Sequence, residues 1–324
     1  MKKILEVKDL TVAFNTVNGD KNAVNHISFD LFENDFVGLV GESGCGKTVA
    51  TQTILGIQSK DAIIKSGSCK LRDIEVLGLS DKDWKKYRSR NIATVFQEPG
   101  SALNPLMKVG AQIEEVLKIH YDFDKKKRQD LVYKTMENVG LRDVEDLYNK
   151  YPHELSGGMQ QRIVICMALI ANPNVLIADE PTTALDAKVQ AQIIDLFKDL
   201  GHIYKGAILF ISHDLNLIDR ICKKVMIMYA GRLVEKGDTR DVIDKPFHPY
   251  TKALLKAVPN YKKRGEALYN IKGHVPDLKN RSNEGCPFAD RCDHTMDICK
   301  RTYPAAYIKD GREVHCHLYG DQND

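Results

Sequence analysis

Residues 41–48 read "GESGCGKT". The stretch fits the pattern G-x-x-x-x-G-K-[ST]. It stands between "FVGLV", an apolar run of strand character, and "KTVATQTILGI", which has helical spacing. Each residue type has a physical reason to be there. Gly41, Gly44 and Gly46 let the backbone bend until successive N–H groups converge on phosphate oxygens. The start of the following helix adds the positive end of its dipole. Lys47 is long enough to meet the β- and γ-phosphates, and Thr48 can ligate Mg²⁺. A nucleoside triphosphate site follows, set in an α/β fold.

Outward from this loop the chain keeps alternating strand and helix. Upstream, "ILEVKDLTVAF" and "ISFDLF" read as strands. Downstream, strands are expected at 92–96, 175–178, 207–211 and 225–228, each beside a helical pattern. Residues 105–170 carry helical periodicity, as in "QIEEVLKIH" and "QDLVYKTMENVG", and read as a helical insert.

Two further motifs carry chemistry. "NVLIADEP" is an apolar strand that ends in Asp179 and Glu180. Acids at the C-terminal edge of a parallel strand lie where ligands bind in α/β sheets. Asp179 is placed to hold Mg²⁺ and Glu180 to polarise an attacking water. In "LSGGMQQR", Ser156 precedes Gly157, Gly158 and a helical run, which makes an N-cap and a second anion site. One nucleotide needs one phosphate loop. A second anion site suggests that it completes the pocket of another subunit.

Composition bounds the rest. Of 324 residues, 43% are hydrophobic and 28% charged, as in globular proteins. No apolar run approaches the roughly 18 residues that span a bilayer, and "MKKILEVKDL" lacks the apolar core of a signal peptide. A cytosolic chain is the expectation, and there clustered cysteines point to metal or redox roles more than to disulfides. Residues 245–324 hold 14 Lys and Arg against 10 Asp and Glu, too mild an excess for a nucleic-acid arm. Six of the eleven prolines fall there, and this shift marks a boundary near "DKPFHPY".

The three motifs in this order resemble the ATP-binding subunits of ABC transporters. Smaller features agree: Gln97 in "TVFQEP" resembles the Q-loop, Asp186 in "TALD" the D-loop, and His213 in "LFISHD" the switch histidine. Phe14 resembles the aromatic that stacks on adenine. The resemblance implies a P-loop NTPase cassette over residues 1–244, with a mixed-sheet core and a helical subdomain at about 105–170. It implies ATP hydrolysis in a head-to-tail dimer. Gly41, Ser43, Gly44, Cys45, Gly46, Lys47, Thr48 and Val49 would surround the phosphates. Thr48, Gln97 and Asp179 would hold Mg²⁺, with Glu180 as general base and His213 beside it. Ser156, Gly157, Gly158 and Asp186 would serve the dimer interface.

"FQEPGSALNPLMKVG", "HPYTKALLKAVP" and "GCPFADRC" together resemble the ATPase subunits of peptide and nickel importers. The expected partners are a second ATPase subunit (a paralogue or a copy), two membrane-spanning permease subunits and, indirectly, an extracytoplasmic solute-binding protein. The expected place is the cytoplasmic face of the membrane, with no nucleic-acid partner. A soluble ATPase acting on nucleic acid or ribosomes is the alternative, and a nickel importer of the same group another. "LNPL" near the Q-loop also fits a helix start with proline at its first position.

The tail, residues 245–324, contains Cys286, Cys292, Cys299 and Cys316, spaced C-x5-C-x6-C-x16-C. Structural zinc usually takes short C-x2–4-C knuckles. Longer, irregular spacing suits an iron–sulfur cluster, whose corners stand farther apart. A mixed site with His294, His315 or His317 would suit zinc, and ordinary buried thiols are a third reading. Cys45, Cys69, Cys166 and Cys222 take that third reading. The importer resemblance implies a [4Fe–4S] cluster on the four tail cysteines, with zinc as runner-up, bracing the tail.

Overall fold

The structure is a computed structural model that describes residues 2–183, 185–257 and 269–320. Its strands are β1 (Lys3–Thr16), β2 (Gly19–Phe32), β3 (Phe36–Val40), β4 (Ala62–Leu71), β5 (Ile74–Glu75) and β6 (Ile92–Val95). Then come β7 (Val175–Asp179), β8 (Ala207–Ser212), β9 (Lys224–Tyr229), β10 (Arg232–Asp238), β11 (Tyr307–Lys309) and β12 (Arg312–Val314). The chain divides into two compact units.

The first unit comprises residues 1–4, 32–35 and 78–210. Here β6 and β7 pair in parallel, with Ile92 opposite Val175 and Val95 opposite Ala178. The first four residues of β7 are wholly buried, as a strand covered on both faces must be. Between these strands the short helix Pro99–Ala102 is followed by four more: Val109–His120, Lys125–Asn138, Val144–Tyr148 and Gly157–Leu169. Val109–His120 buries Val109, Ile113 and Leu117, a stripe at every fourth position. Its Glu114 is buried too, and accepts from Arg128 Nε at 2.7 Å and Tyr148 Oη at 2.7 Å. One carboxylate thereby ties three helices together. "LNPL" is a turn and not a helix start: the short helix Pro99–Ala102 ends before it and the next begins at Val109.

The second unit comprises residues 5–31, 36–77 and 211–324. Its β3 runs parallel to β9, with Val40 opposite Ile227. The pairing then turns antiparallel, β9 to β10, β10 to β12 and β12 to β11. The sheet is therefore mixed, and the tail supplies its last two strands. A separate antiparallel layer joins β1 to β4, Leu5 opposite Leu71 through Phe14 opposite Ala62, with a bulge between Lys8 and Thr11. Helix Pro249–Ala257 starts at "PYT", inside the stretch "HPYTKALLKAVP"; Val258 and Pro259 lie outside the described residues, as does Ala184 of "TALD".

Buried charge fixes the tail against β10. Glu235 is fully buried and accepts from Phe247 N and His248 N, both at 2.9 Å. Arg312, 3% exposed, lies 3.7 Å from its carboxylate and donates to the carbonyls of Asp241 and Lys245.

Candidate nucleotide-binding site

β3 carries the chain into the glycine-rich turn, and helix Lys47–Ile54 carries it out. The helix has no side-chain cap; its N-cap is Gly46, with φ of 110°. A Cβ there would lie 2.5 Å from Ala23 O, so only glycine fits both the dihedral and the space. Lys47 is 6% exposed, and its Nζ donates to Gly41 O at 2.7 Å and Glu42 O at 3.2 Å. Gly44 O accepts from Arg281 Nη2 and Cys45 O from Gly231 N at 2.6 Å. Four carbonyls of the turn are thus bonded within the protein. With these acceptors spent, the turn offers an anion an ammonium group and the amides other than those of Glu42 and Cys45.

Some of these bonds were not expected. The Glu42 N–H donates to Tyr250 Oη at 3.0 Å, and the Glu42 carboxylate meets both Nη atoms of Arg291, at 3.1 and 3.2 Å. Tyr250, Arg281 and Arg291 belong to the tail, and sequence reasoning gave none of them a role. Of the remaining candidates in this unit, Ser43, Gly44 and Thr48 are exposed and Val49 half-buried. Cys45 is buried, and desolvation raises its thiol pKa against the pull of Lys47. Phe14 is half-buried on β1, and His213 is exposed just before helix Leu215–Ile221, which Asp214 caps through Asn216 N at 2.9 Å.

In the first unit, Gln97 and the Asp179–Glu180 pair follow the paired ends of β6 and β7, at the same C-terminal edge. Glu180 has φ of 45°, in the left-handed region that a side chain pays strain to occupy. Its Oε2 accepts from Thr183 Oγ1 at 3.1 Å. No sequence signal announced that conformation. Ser156 does cap helix Gly157–Leu169, accepting from Met159 N at 3.4 Å, and Gly157 is exposed beside it. Gly158 abuts the next helix, where a Cβ would lie 2.6 Å from Val189 Cγ1. Asp186 caps that helix, Ala187–Ile203, accepting from Lys188 N and Val189 N at 3.0 Å each.

Cys286, Cys292, Cys299 and Cys316 line one cavity, together with His248, His294 and His317. Gly285 makes the entry: its φ is 70°, a Cβ would lie 2.7 Å from Cys299 O, and Cys286 N donates to that carbonyl at 2.7 Å. Burial pushes the Cys286 thiol up to about 12 and the Cys316 thiol to about 11. Among the described residues no three His, Cys, Asp or Glu side chains stand close enough to hold a metal ion. The thiols surround a space instead of converging on a point. His248 is 1% exposed, and its Nδ1 accepts from Tyr250 N at 3.0 Å. Burial drives its pKa down to about 3, and its Nε2 has no partner.

A phosphate loop opening a helix, a strand ending in Asp-Glu and a serine-capped Gly-Gly helix define an ABC-type ATP-binding cassette. Residues 24–183 match the ABC transporter family, and residues 234–299 match the C-terminal region of oligopeptide and dipeptide transporters. The chain belongs to the peptide-transporter branch of ABC ATP-binding subunits. It is 41% identical to the dipeptide transport ATP-binding protein DppD of Bacillus subtilis, over all of both chains. To the oligopeptide transport ATP-binding protein OppD of Escherichia coli it is 42% identical, over 97% of this chain and 92% of that one. A dimeric post-hydrolysis structure of the cassette MJ0796, bound to ADP and Pi, superposes with a TM-score of 0.65. The identity is 26%, over 73% of this chain and 99% of that chain. No helix among the described residues is long and apolar enough to cross a membrane.

Proposed function

We propose that the chain hydrolyses ATP to energise a membrane importer of di- and oligopeptides. The observation that carries this is the similarity to peptide-transport subunits along the whole chain, cassette and tail alike. In this reading Lys47 and the turn Gly41–Val49, of which Ser43 and Cys45 are part, hold the phosphates, the turn through its amides other than those of Glu42 and Cys45. Thr48, Gln97 and Asp179 hold Mg²⁺, and Phe14 stacks on adenine. Glu180 draws the proton from the attacking water, and His213 steadies the γ-phosphate. Ser156, Gly157, Gly158 and Asp186 act on the ATP of a second ATPase subunit. ATP closes the pair, closure moves two permease subunits, and hydrolysis resets them at the cytoplasmic face of the membrane.

Glu180→Gln tests the chemistry. ATP turnover should fall by about 100-fold or more while ATP affinity holds within about twofold. Turnover near the wild-type rate would remove Glu180 from the role of base. Co-purification with the permease subunits, and ATPase stimulation by a peptide-loaded binding protein but not a nickel-loaded one, test the transport reading.

We further propose that the tail cavity takes a [4Fe–4S] cluster. Four cysteines lining one space support it, and so does His248 in the same wall, whose Nε2 has no partner. A single zinc ion needs its ligands at about 2.0–2.3 Å, a convergence the described residues lack. When bound, the cluster supplies four iron corners that cross-link the tail through cysteine. Anaerobically purified chain should be brown and contain iron and sulfide. Colourless chain with one equivalent of zinc would overturn the assignment.

A further inference from the structure

Glu42 occupies a position that the phosphate-loop pattern leaves open, yet it is the most heavily engaged residue of the turn. Its two carboxylate oxygens take the two Nη atoms of Arg291, and its N–H goes to Tyr250 Oη. Two residues on, Gly44 O takes Arg281 Nη2, whose Nη1 also donates to Ala23 O at 3.4 Å. The Arg291 side chain is 7% exposed and Arg281 is 6% exposed, so water cannot stand in for either.

Arg291 is itself held from several sides. Its Nε donates to Lys272 O at 2.7 Å, its Nη2 to Gly273 O at 3.3 Å and its Nη1 to Tyr229 Oη at 3.2 Å. Beneath it Tyr229, Tyr250 and Phe288 pack ring against ring, with centroids 4.6 to 5.3 Å apart. This bidentate pair gives up the hydration of a buried arginine and part of that of Glu42, so it adds little to stability. What it does give is position. A loop already fixed in its binding shape is not ordered at the moment the ligand arrives, and the ligand binds more tightly for that.

We infer that Arg291, with Arg281 and Tyr250, is a positioning residue for ATP: the tail holds the phosphate loop in the shape that receives the phosphates. The inference rests on the reading of Gly41–Thr48 as the ATP site. None of the three residues has to touch the nucleotide.

Equilibrium binding of ATP to the full chain tests it. Arg291→Met should raise the Kd about tenfold, and Tyr250→Phe, which keeps the ring and removes one hydroxyl, about threefold. Arg291→Met also bares the Glu42 charge. The pair Glu42→Gln with Arg291→Met removes that charge and should still bind about tenfold more weakly. Turnover at saturating ATP should hold within about twofold, because the effect lies in binding. Arg312→Met is the control, a buried tail arginine with no bond to the loop, and should leave the Kd unchanged.

Wild-type affinity in the double variant would overturn the inference, since charge alone would then explain Arg291. An equal loss in Arg312→Met would overturn it too. If Arg291→Met fails to fold, Tyr250→Phe decides the matter, and an unchanged Kd there counts against the inference. Lys47→Ala separates this failure from the other: if that variant binds ATP like wild type, the ATP site itself is misplaced.

Discussion

Two of the chain's glycine-bearing helix starts are built in opposite ways. At Gly41–Thr48 the turn buries Gly41, Cys45 and Lys47, its carbonyls are bonded, and residues from the tail grip it. At Leu155–Gly158 an ordinary serine cap closes the helix, and Ser156 and Gly157 face solvent. The first is a finished anion cradle. The second has the amides and the dipole of an anion site but little around it, as suits a surface that receives a ligand held by another molecule. In the proposed function, finish belongs to the site that must bind alone, and openness to the one that acts on a partner.

The sharpest way to break this contrast is Gly46→Ala. The new Cβ meets the Ala23 carbonyl at 2.5 Å, in a dihedral region that side chains avoid. ATP affinity of the chain should fall by about 100-fold, read by equilibrium binding. A smaller effect comes from Arg312→Met, which strands the buried Glu235 carboxylate. Chemical denaturation should show a loss of about 3 kcal/mol, with ATP affinity untouched. If affinity fell in step, the grip on the phosphate loop would be general tail stability and nothing more local. The smallest effect is expected from Ser156→Ala. Loss of the cap costs about 1 kcal/mol of stability, and ATP binding by the single chain should not change. Turnover should fall several-fold if, as proposed, this helix start acts on a second subunit's nucleotide. A change in single-chain ATP affinity would show that the two helix starts are less different than they look.

Much of this was legible in the residues. The phosphate loop, the acidic strand end and the serine cap each depend on neighbours in sequence, so local patterns carry them. The strands β6 to β9 overlie the apolar runs read as strands. β4 is not legible because "AIIKSGSCKL" alternates around a glycine and pairs along most of its length with β1, far upstream. The left-handed Glu180 was invisible, since nothing in "ADEP" asks for a positive φ. The roles of Arg281 and Arg291 were out of reach for a different reason. Their partners are Gly44 and Glu42, 237 and 249 residues away, and a lone arginine in a basic tail reads as solvated charge. The four cysteines were flagged by spacing, but spacing alone could not say that they wall a cavity instead of meeting at a point.

The hold on Glu42 and Gly44 also bears on how such chains can be recombined. Swapping endings between related subunits looks harmless when the ending is pictured as an attachment. Here a tyrosine and two arginines of the ending are part of the floor beneath the phosphate loop. A chimera inherits a sound nucleotide site only if its two parents agree at those places. The ending and the loop must therefore travel together.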